Sequence, residues 1–323
     1  MRKLLNNRIG RILDFKGSGN PFVSDILKFV GGTAFSQALA ILASPVLTRL
    51  YCPEAFGLAA LFASITGIIG VVACLRYDQS IMLPKEDEEA ANLLGLSLLL
   101  AVLTGLITIF VIWLAKAPLL KLFNATALGK YLWLAPLAVF LIGSFASLNC
   151  WNSRRKRFGR LSISRVNGSI CSVGAQIVAG LTEYSTGGSL IGGAIFGSAV
   201  SSFVLGWQIW IDDHKIFKNI KFQKIKSGLL RYKRFPKYDT LSALLNSISL
   251  QLPVFFLNIF FSPVSAGYYA ISNCLVFMPV IFISTAICQV FFQRSSRAKY
   301  EGNLSSISEI ILIKLIEIGL YPF

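Results

Sequence analysis

Long apolar runs separated by short polar segments make up most of the chain. Residues 26–48 and 56–75 are two such runs, and the short turn 49–54 joins them. At 1.5 Å per residue the first run would form a helix of about 34 Å. A bilayer core of about 30 Å needs about 20 apolar residues. The pattern therefore predicts a membrane-spanning helical hairpin at the start of the chain.

The same pattern recurs to the end of the sequence. Six further runs are long enough to span a bilayer, at residues 92–115, 131–151, 166–182, 189–211, 241–261 and 266–292. Ser, Gly and Gln interrupt the run at 166–182, which makes it the weakest of the set. Residues 303–323 begin a ninth run that stops with the chain. We predict an all-α, multi-pass membrane bundle of eight spans and part of a ninth.

Composition agrees with a membrane protein. Hydrophobic residues make up 54 % of the chain, charged residues only 14 %, and the mean hydropathy is +0.66. These values exclude an ordinary soluble domain. The six cysteines show no CxxC spacing. Five of them lie within or at the ends of apolar runs, so we expect neither a disulfide framework nor a zinc site.

The basic residues that give the chain its formal charge of +16 are distributed asymmetrically along it. If the N-terminus is cytoplasmic, nearly all of the 31 Lys and Arg residues fall on that side of the membrane. The loops on the other side hold only Arg49, Lys116, Lys121 and Lys130. This asymmetry is typical of membrane proteins and fixes their orientation. It predicts a cytoplasmic N-terminus and explains the net positive charge without a nucleic-acid partner.

A short internal repeat suggests two related halves. Residues 53–60 and 263–270 share the pattern Pro-x-x-x-Gly-x-x-Ala, and a Pro-Val pair precedes each, at Pro45 and at Pro253. Both copies lie between the first two spans of a predicted half, as a duplication would place them. We therefore predict a basic cytoplasmic N-terminus (1–25), a first six-helix lobe (26–211), a basic cytoplasmic linker (212–240) and an incomplete second lobe (241–323).

Uncharged polar residues form stripes on the first helix of each half. Thr33, Gln37, Ser44 and Thr48 share one face of the first helix, and Ser247, Gln251 and Asn258 line a face of the seventh. Two interpretations stay open. The stripes border a hydrophilic cavity between the lobes, or they make hydrogen bonds between neighbouring helices.

Charged residues at helix ends are the other candidates for a binding site. Arg49 and Arg76 carry planar guanidinium groups, which suit phosphate oxygens, and Asp78 lies two residues beyond Arg76. The competing interpretations are an ion pair between Arg76 and Asp78, and contact of Arg49 with lipid headgroups. No Gly-rich phosphate loop, catalytic Ser/His/Asp set or metal-ligand cluster occurs in the sequence, so we expect no enzyme, cofactor or metal.

Several segments resemble a known family. They are LTRLYCPEAFG (47–57), LRYDQSIMLPKEDEEAANL (75–93), RYKRFPKYDT (231–240), QLPVFF (251–256), AGYYAIS (266–272) and ICQVFFQRSS (287–296). In this order they resemble bacterial polysaccharide biosynthesis membrane proteins, the Wzx-type flippases of O antigen and exopolysaccharide. That family belongs to the superfamily of the multidrug (MATE) exporters, the MOP exporters.

The resemblance implies a function and a location. It implies flipping of a lipid-linked oligosaccharide across the cytoplasmic membrane, by alternating access between two six-helix lobes, during biosynthesis of surface polysaccharide such as lipopolysaccharide. The other implied partners are membrane lipids and polysaccharide polymerase or assembly proteins. Arg49, Arg76 and Asp78 match motif positions, whereas Cys274 stands where many relatives carry a basic residue.

Two alternatives to a flippase follow from the same residues. One is a multidrug or ion antiporter of the same fold, against which stands the lack of an ionisable side chain near the middle of the first eight spans. The other is a non-transporting, truncated remnant or an assembly partner of polysaccharide enzymes. The family has about twelve spans and the chain stops in its ninth, so we expect residues 1–323 not to transport without further helices.

Overall fold

The computed structural model describes residues 21–123, 125–182, 185–217 and 228–276, and these ranges contain helices and no strand. The first part holds six long helices: α1 (Pro21–Leu50), α2 (Pro53–Val72), α3 (Asp87–Leu122), α4 (Ala135–Arg154), α5 (Phe158–Leu181) and α6 (Gly187–Phe217). A single π-helical turn (Phe235–Asp239) leads into α7 (Thr240–Phe260), and α8 covers residues 263–276. The predicted run 303–323, residues 1–20 and the end of the eighth run lie outside the described residues.

Helix ends follow the local sequence. Proline occupies the first turn of α2, where its missing N–H costs no hydrogen bond. Helix α3 begins before the predicted run 92–115, with Asp87, Glu88 and Glu89 in its first turn, where negative charge is favoured by the helix dipole. The polar segment between the predicted runs 131–151 and 166–182 is also mostly helical, because α4 runs to Arg154 and α5 begins at Phe158.

Five of the described helices are long and apolar enough to cross a membrane: α2, α3, α4, α6 and α7 with its preceding turn. The other two long helices of the first part, α1 and α5, are not among these five, and α5 is the most polar of the six. The two pack extensively against each other. Arg165 on α5 donates to Thr33 Oγ1 on α1 (3.1 Å), and Ser169 donates to the carbonyl of Ser36 (3.1 Å). Polar residues of both helices therefore face a partner helix.

The first two helices of the predicted hairpin pack mainly on other helices. The turn between them is short, as predicted, but α1 packs mainly on α5, whereas α2 packs on α4, α6 and α7. Meanwhile α3 packs on α4 and presents much of its surface outward, including Phe110, Trp113 and Leu114. An outward apolar face of this kind suits contact with lipid rather than water.

Candidate functional site

The two repeat copies contact each other directly. Gly57 in α2 lies so close to α8 that a Cβ on it would overlap the carbonyl oxygen of Pro263 and lie 3.2 Å from the nitrogen of Gly267. Reciprocally, a Cβ on Gly267 would overlap the carbonyl oxygen of Pro53 and lie 3.1 Å from the nitrogen of Gly57. A duplicated helix pair with local two-fold symmetry produces such a reciprocal contact. We call this end of the bundle, which carries Gly57 and Gly267, the turn end.

The contact between the two parts of the chain continues along α2 and α7. Ser64 Oγ of α2 donates to Gln251 Oε1 of α7 at 2.8 Å. The rings of Phe123, which follows α3, and Phe255 stack with centroids 5.1 Å apart. The sequence left two roles open for Gln251, lining a cavity or hydrogen bonding to a neighbouring helix. In the structure it accepts a hydrogen bond from a neighbouring helix. This hydrogen bond joins α2 of the first half to α7 of the second, and we call the contact between these two helices the seam.

The opposite end of α2 carries Arg76 in an unusual backbone conformation. Leu75 and Arg76 are consecutive non-glycine residues with positive φ, 47° and 59°, which costs roughly 1–2 kcal/mol per residue. The Nε of Arg76 is buried and has no hydrogen-bond partner among the described residues. A buried N–H without a partner is costly, so this guanidinium is suited to an acceptor that arrives with a ligand. We call this end, which carries Arg76 and residues 154–160, the basic end.

Asp78 is buried beside Arg76 without forming an ion pair with it in the described structure. Burial raises the pKa of this carboxyl, and the charge of Arg76 and backbone N–H groups only partly offset that increase. The neighbouring Tyr77 Oη donates to the carbonyl of Leu229 at 2.9 Å, which attaches the short helical turn Tyr77–Ser80 to the segment that precedes α7. Arg76 and Asp78 thus lie where the two parts of the chain meet at the basic end.

Arg154 positions the loop that follows Asp78, and the sequence analysis did not single it out. Its Nη1 donates to the carbonyls of Pro84 (2.6 Å) and Ile81 (3.3 Å), and its Nη2 lies 3.1 Å from Asp87 Oδ1. The side chain is only 12 % exposed. In the sequence Arg154 is one of several neighbouring arginines that together indicate the orientation of the chain, and nothing in that run marks which of them contacts the loop.

Asp213 is a second buried anchor at the basic end. Its side chain is 1 % exposed, accepts a hydrogen bond from Trp151 Nε1 (3.1 Å), and pairs with Arg155 (3.3 Å) and Arg157 (3.4 Å). Arg155 also pairs with Asp87 at 2.6 Å. The ends of α4 and α6 and the beginnings of α3 and α5 are therefore held together by one network of charge-assisted hydrogen bonds, which are stronger than neutral ones.

The remaining predicted site residues do not lie together. Arg49 is exposed in the last turn of α1 at the turn end. The length of α2, about 30 Å, separates it from Arg76. The Oε1 of Gln37 on α1 and the Oδ1 of Asn258 on α7 are both buried without a hydrogen-bond partner in the described part of the chain. Asn258 donates to the carbonyl of Val254 within its own helix at 2.9 Å. The six residues thus occupy both ends and the middle of the bundle.

Comparison with known proteins gives the family and the fold. The family described as "Polysaccharide biosynthesis protein" matches residues 46–315. Among curated proteins none matches the sequence. A solved structure titled "Inward-facing conformation of a multidrug resistance MATE family transporter of the MOP superfamily" is similar to this chain with a TM-score of 0.62 and 18 % identity, over 88 % of this chain and 67 % of that one. At that identity the likeness shows the fold alone. The chain belongs to the polysaccharide biosynthesis protein family and is a multi-pass membrane protein with the fold of a MATE-type transporter.

Proposed function

We propose that this protein takes part in flipping a lipid-linked oligosaccharide across the cytoplasmic membrane, by alternating access between two halves. One observation carries the proposal. The repeat copies are in glycine-to-carbonyl contact at the turn end, whereas the basic end presents the buried, unpartnered Nε of Arg76. A close contact between the halves at one end, with a cationic group at the other, suits an anionic substrate that enters at the basic end.

The chemistry of such a substrate fits Arg76. A sugar carried on a lipid through phosphate or diphosphate presents several charged oxygens, and a guanidinium binds two of them at once. Asp78 beside it repels an anion when ionised, and burial raises the pKa of this carboxyl. Arg49 at the turn end offers a second cation, which would meet the same headgroup after it has crossed.

The orientation belongs to the same proposal. With the basic end in the cytoplasm, the excess of Lys and Arg lies inside, as in most membrane proteins. The substrate would then load from the cytoplasmic leaflet, where activated sugars are made. Membrane lipids and polysaccharide polymerase or assembly proteins are the partners that fit this location, and O antigen or exopolysaccharide the product.

A drug or ion antiporter is the second candidate, because the similar solved structure carries a multidrug resistance title. The family match over residues 46–315 favours polysaccharide. A non-transporting assembly partner is the third. Efflux of cationic dyes from whole cells distinguishes the antiporter, and failure to restore surface polysaccharide in a flippase-deficient strain distinguishes the assembly partner.

The direct test is flipping in vesicles that contain the purified full-length protein. A lipid-linked oligosaccharide labelled on its sugar is placed in both leaflets, and its accessibility to a soluble glycosidase is followed in time. We expect Arg76→Ala to slow flipping at least tenfold, and Arg49→Ala to slow it as well, at unchanged protein abundance. Lys85→Ala is the matched control, because Lys85 is an exposed cation in the same loop as Arg76. Wild-type rates in Arg76→Ala and Arg49→Ala would remove both arginines from the site.

A further inference from the structure

A polar groove of about 380 Å³ opens at the basic end, beside the turn that connects α4 to α5. Its lining consists of Lys156, Arg157, Phe158, Gly159, Arg160 and Asp212. Three basic side chains therefore face one carboxylate. The groove is separate from Arg76 and Asp78, which are not part of its lining.

The two arginines of the groove are held in place before any ligand binds. Arg157 Nη1 lies 3.4 Å from Asp213 Oδ2 and 3.3 Å from Asp212 Oδ2. Arg160 Nη1 donates to the carbonyl of Gln208 at 3.2 Å, and its Nη2 pairs with Asp212. Because Asp213 is buried, it fixes one side of Arg157 while Asp212, 42 % exposed, stays at the surface.

The backbone adds to the positive character of the groove. Lys156 has a φ of 55°, which reverses the chain between α4 and α5, and its side chain is exposed. The first turn of α5 begins at Phe158 without a side-chain cap. Amide groups at the start of a helix favour an anion, so they act in the same direction as the three basic side chains.

The lipid-facing surface of α6 places the groove at the level of the headgroups. Phe203, Trp207 and Trp210 are each more than half exposed along α6, and Asp212 lies two residues beyond Trp210, at the end of the candidate span Gly187–Asp213. Exposed tryptophans mark the boundary between hydrocarbon and headgroups. The groove therefore lies beside lipid at the depth of the phosphate layer.

We propose that this groove binds the phosphate of an anionic phospholipid of the surrounding bilayer. Basic pockets between transmembrane helices bind anionic headgroups, and arginine suits phosphate oxygens. A soluble phosphate would use the same donors, but the adjoining apolar surface of α6 favours a headgroup whose acyl chains lie along that helix. The proposal concerns a lipid of the membrane and does not depend on what the protein transports.

Native mass spectrometry of the delipidated full-length protein tests the proposal. The probes are phosphatidic acid and phosphatidylcholine with identical acyl chains, and inorganic phosphate. We expect one phosphatidic acid to bind in preference to phosphatidylcholine, and Lys156→Gln to weaken that binding about fivefold. Lys85→Gln is the matched control, an exposed lysine at the same end that does not line the groove. It should leave the affinity unchanged.

A second variant separates a specific groove from general surface charge. The double change Arg160→Gln with Asp212→Asn removes a guanidinium without altering net charge, and we expect it also to weaken phosphatidic acid binding. Size-exclusion chromatography checks that each variant remains monodisperse. Equal weakening by Lys85→Gln, or equal binding of both lipids, would overturn the groove as a site. Binding of inorganic phosphate as tight as that of phosphatidic acid would overturn the lipid as its occupant.

Discussion

At the scale of single residues, buried arginine and aspartate side chains fix the basic end. Arg154 satisfies two backbone carbonyls and pairs with Asp87, while Asp213 is held by Trp151, Arg155 and Arg157. Removing one partner of a buried charged contact leaves the other without compensation, which costs more than the pair contributes. The loop that carries Arg76 and Asp78 therefore depends on residues that do not touch a substrate.

Arg154→Gln should lower the stability of the protein. It removes a mostly buried guanidinium and leaves the carbonyls of Ile81 and Pro84 without their donor, a loss of about 1–3 kcal/mol. Thermal unfolding in detergent, followed by fluorescence-detected size exclusion, measures the change. The control is Arg231→Gln, because Arg231 is 68 % exposed and its pair with Glu89 lies at the surface, where such pairs contribute about 0–1 kcal/mol. Equal unfolding temperatures for the two variants would contradict the role of Arg154.

Asp78 should make stability depend on pH. Burial raises the pKa of its carboxyl in the folded state. The folded protein therefore holds that proton more tightly than the unfolded chain does, and the resulting stabilisation is complete below the unfolded pKa of about 3.9. It is lost as the pH rises through the higher, folded pKa.

We therefore expect Asp78→Asn, which does not titrate, to gain in unfolding temperature relative to the wild type as the pH is raised from about 4 to about 7. Unfolding curves at a series of pH values, with Asp239→Asn as the control for a general effect of charge, measure this difference. A difference that is constant across the series, or that changes in the opposite direction, would show that Asp78 is not destabilised by burial.

At the scale of helices, close approach through small residues holds α5 against α6. The hydroxyls of Ser164 and Ser201 each donate to the other's carbonyl, at 2.8 and 3.2 Å. A Cβ on Gly168 would overlap Ser201 and lie 2.8 Å from the carbonyl oxygen of Gly197. Small residues that admit a neighbouring backbone are the usual basis of helix association in membranes, and here they occur on both helices.

Gly168→Leu should therefore separate α5 from α6 and destabilise the protein by at least about 1–3 kcal/mol. The matched control is Gly174→Leu on the same helix, where a Cβ would meet no atom within 4 Å. The measurement is the unfolding temperature together with the yield of monodisperse protein. If the two variants unfolded alike, the contact at Gly168 would not be a determinant of packing.

Sequence patterns locate the helices better than they locate the contacts between them. The apolar runs predict all eight helices, because a membrane-spanning helix must be apolar over its length. They leave Arg165 just outside the run 166–182, whereas it lies within α5 and contacts Thr33, because hydropathy does not distinguish a solvated arginine from one that faces a partner helix. The repeat at Gly57 and Gly267 could be read from the letters, but its reciprocal contact depends on the fold.

At the scale of the whole molecule, the two parts of the chain meet through α2, α7 and α8. Contact at the turn end involves backbone carbonyls against glycines, and Ser64 and Gln251 extend it along the seam. At the basic end the described connections include the hydrogen bond from Tyr77 to Leu229 and the contacts of Glu89 with Arg231 and Tyr232. Alternating access requires the turn end to open while the basic end closes.

Cross-linking across the seam tests this account most directly. Ser64→Cys and Gln251→Cys are combined in a protein without its native cysteines, reconstituted in vesicles, and joined by a short, reducible bis-methanethiosulfonate reagent. Because the seam must separate during each cycle, we expect cross-linking to abolish flipping of the labelled lipid-linked oligosaccharide, and reduction of the link to restore it. Each single-cysteine protein, treated in the same way, should keep its activity. Flipping at an unchanged rate by the cross-linked double variant would contradict alternating access between these two halves.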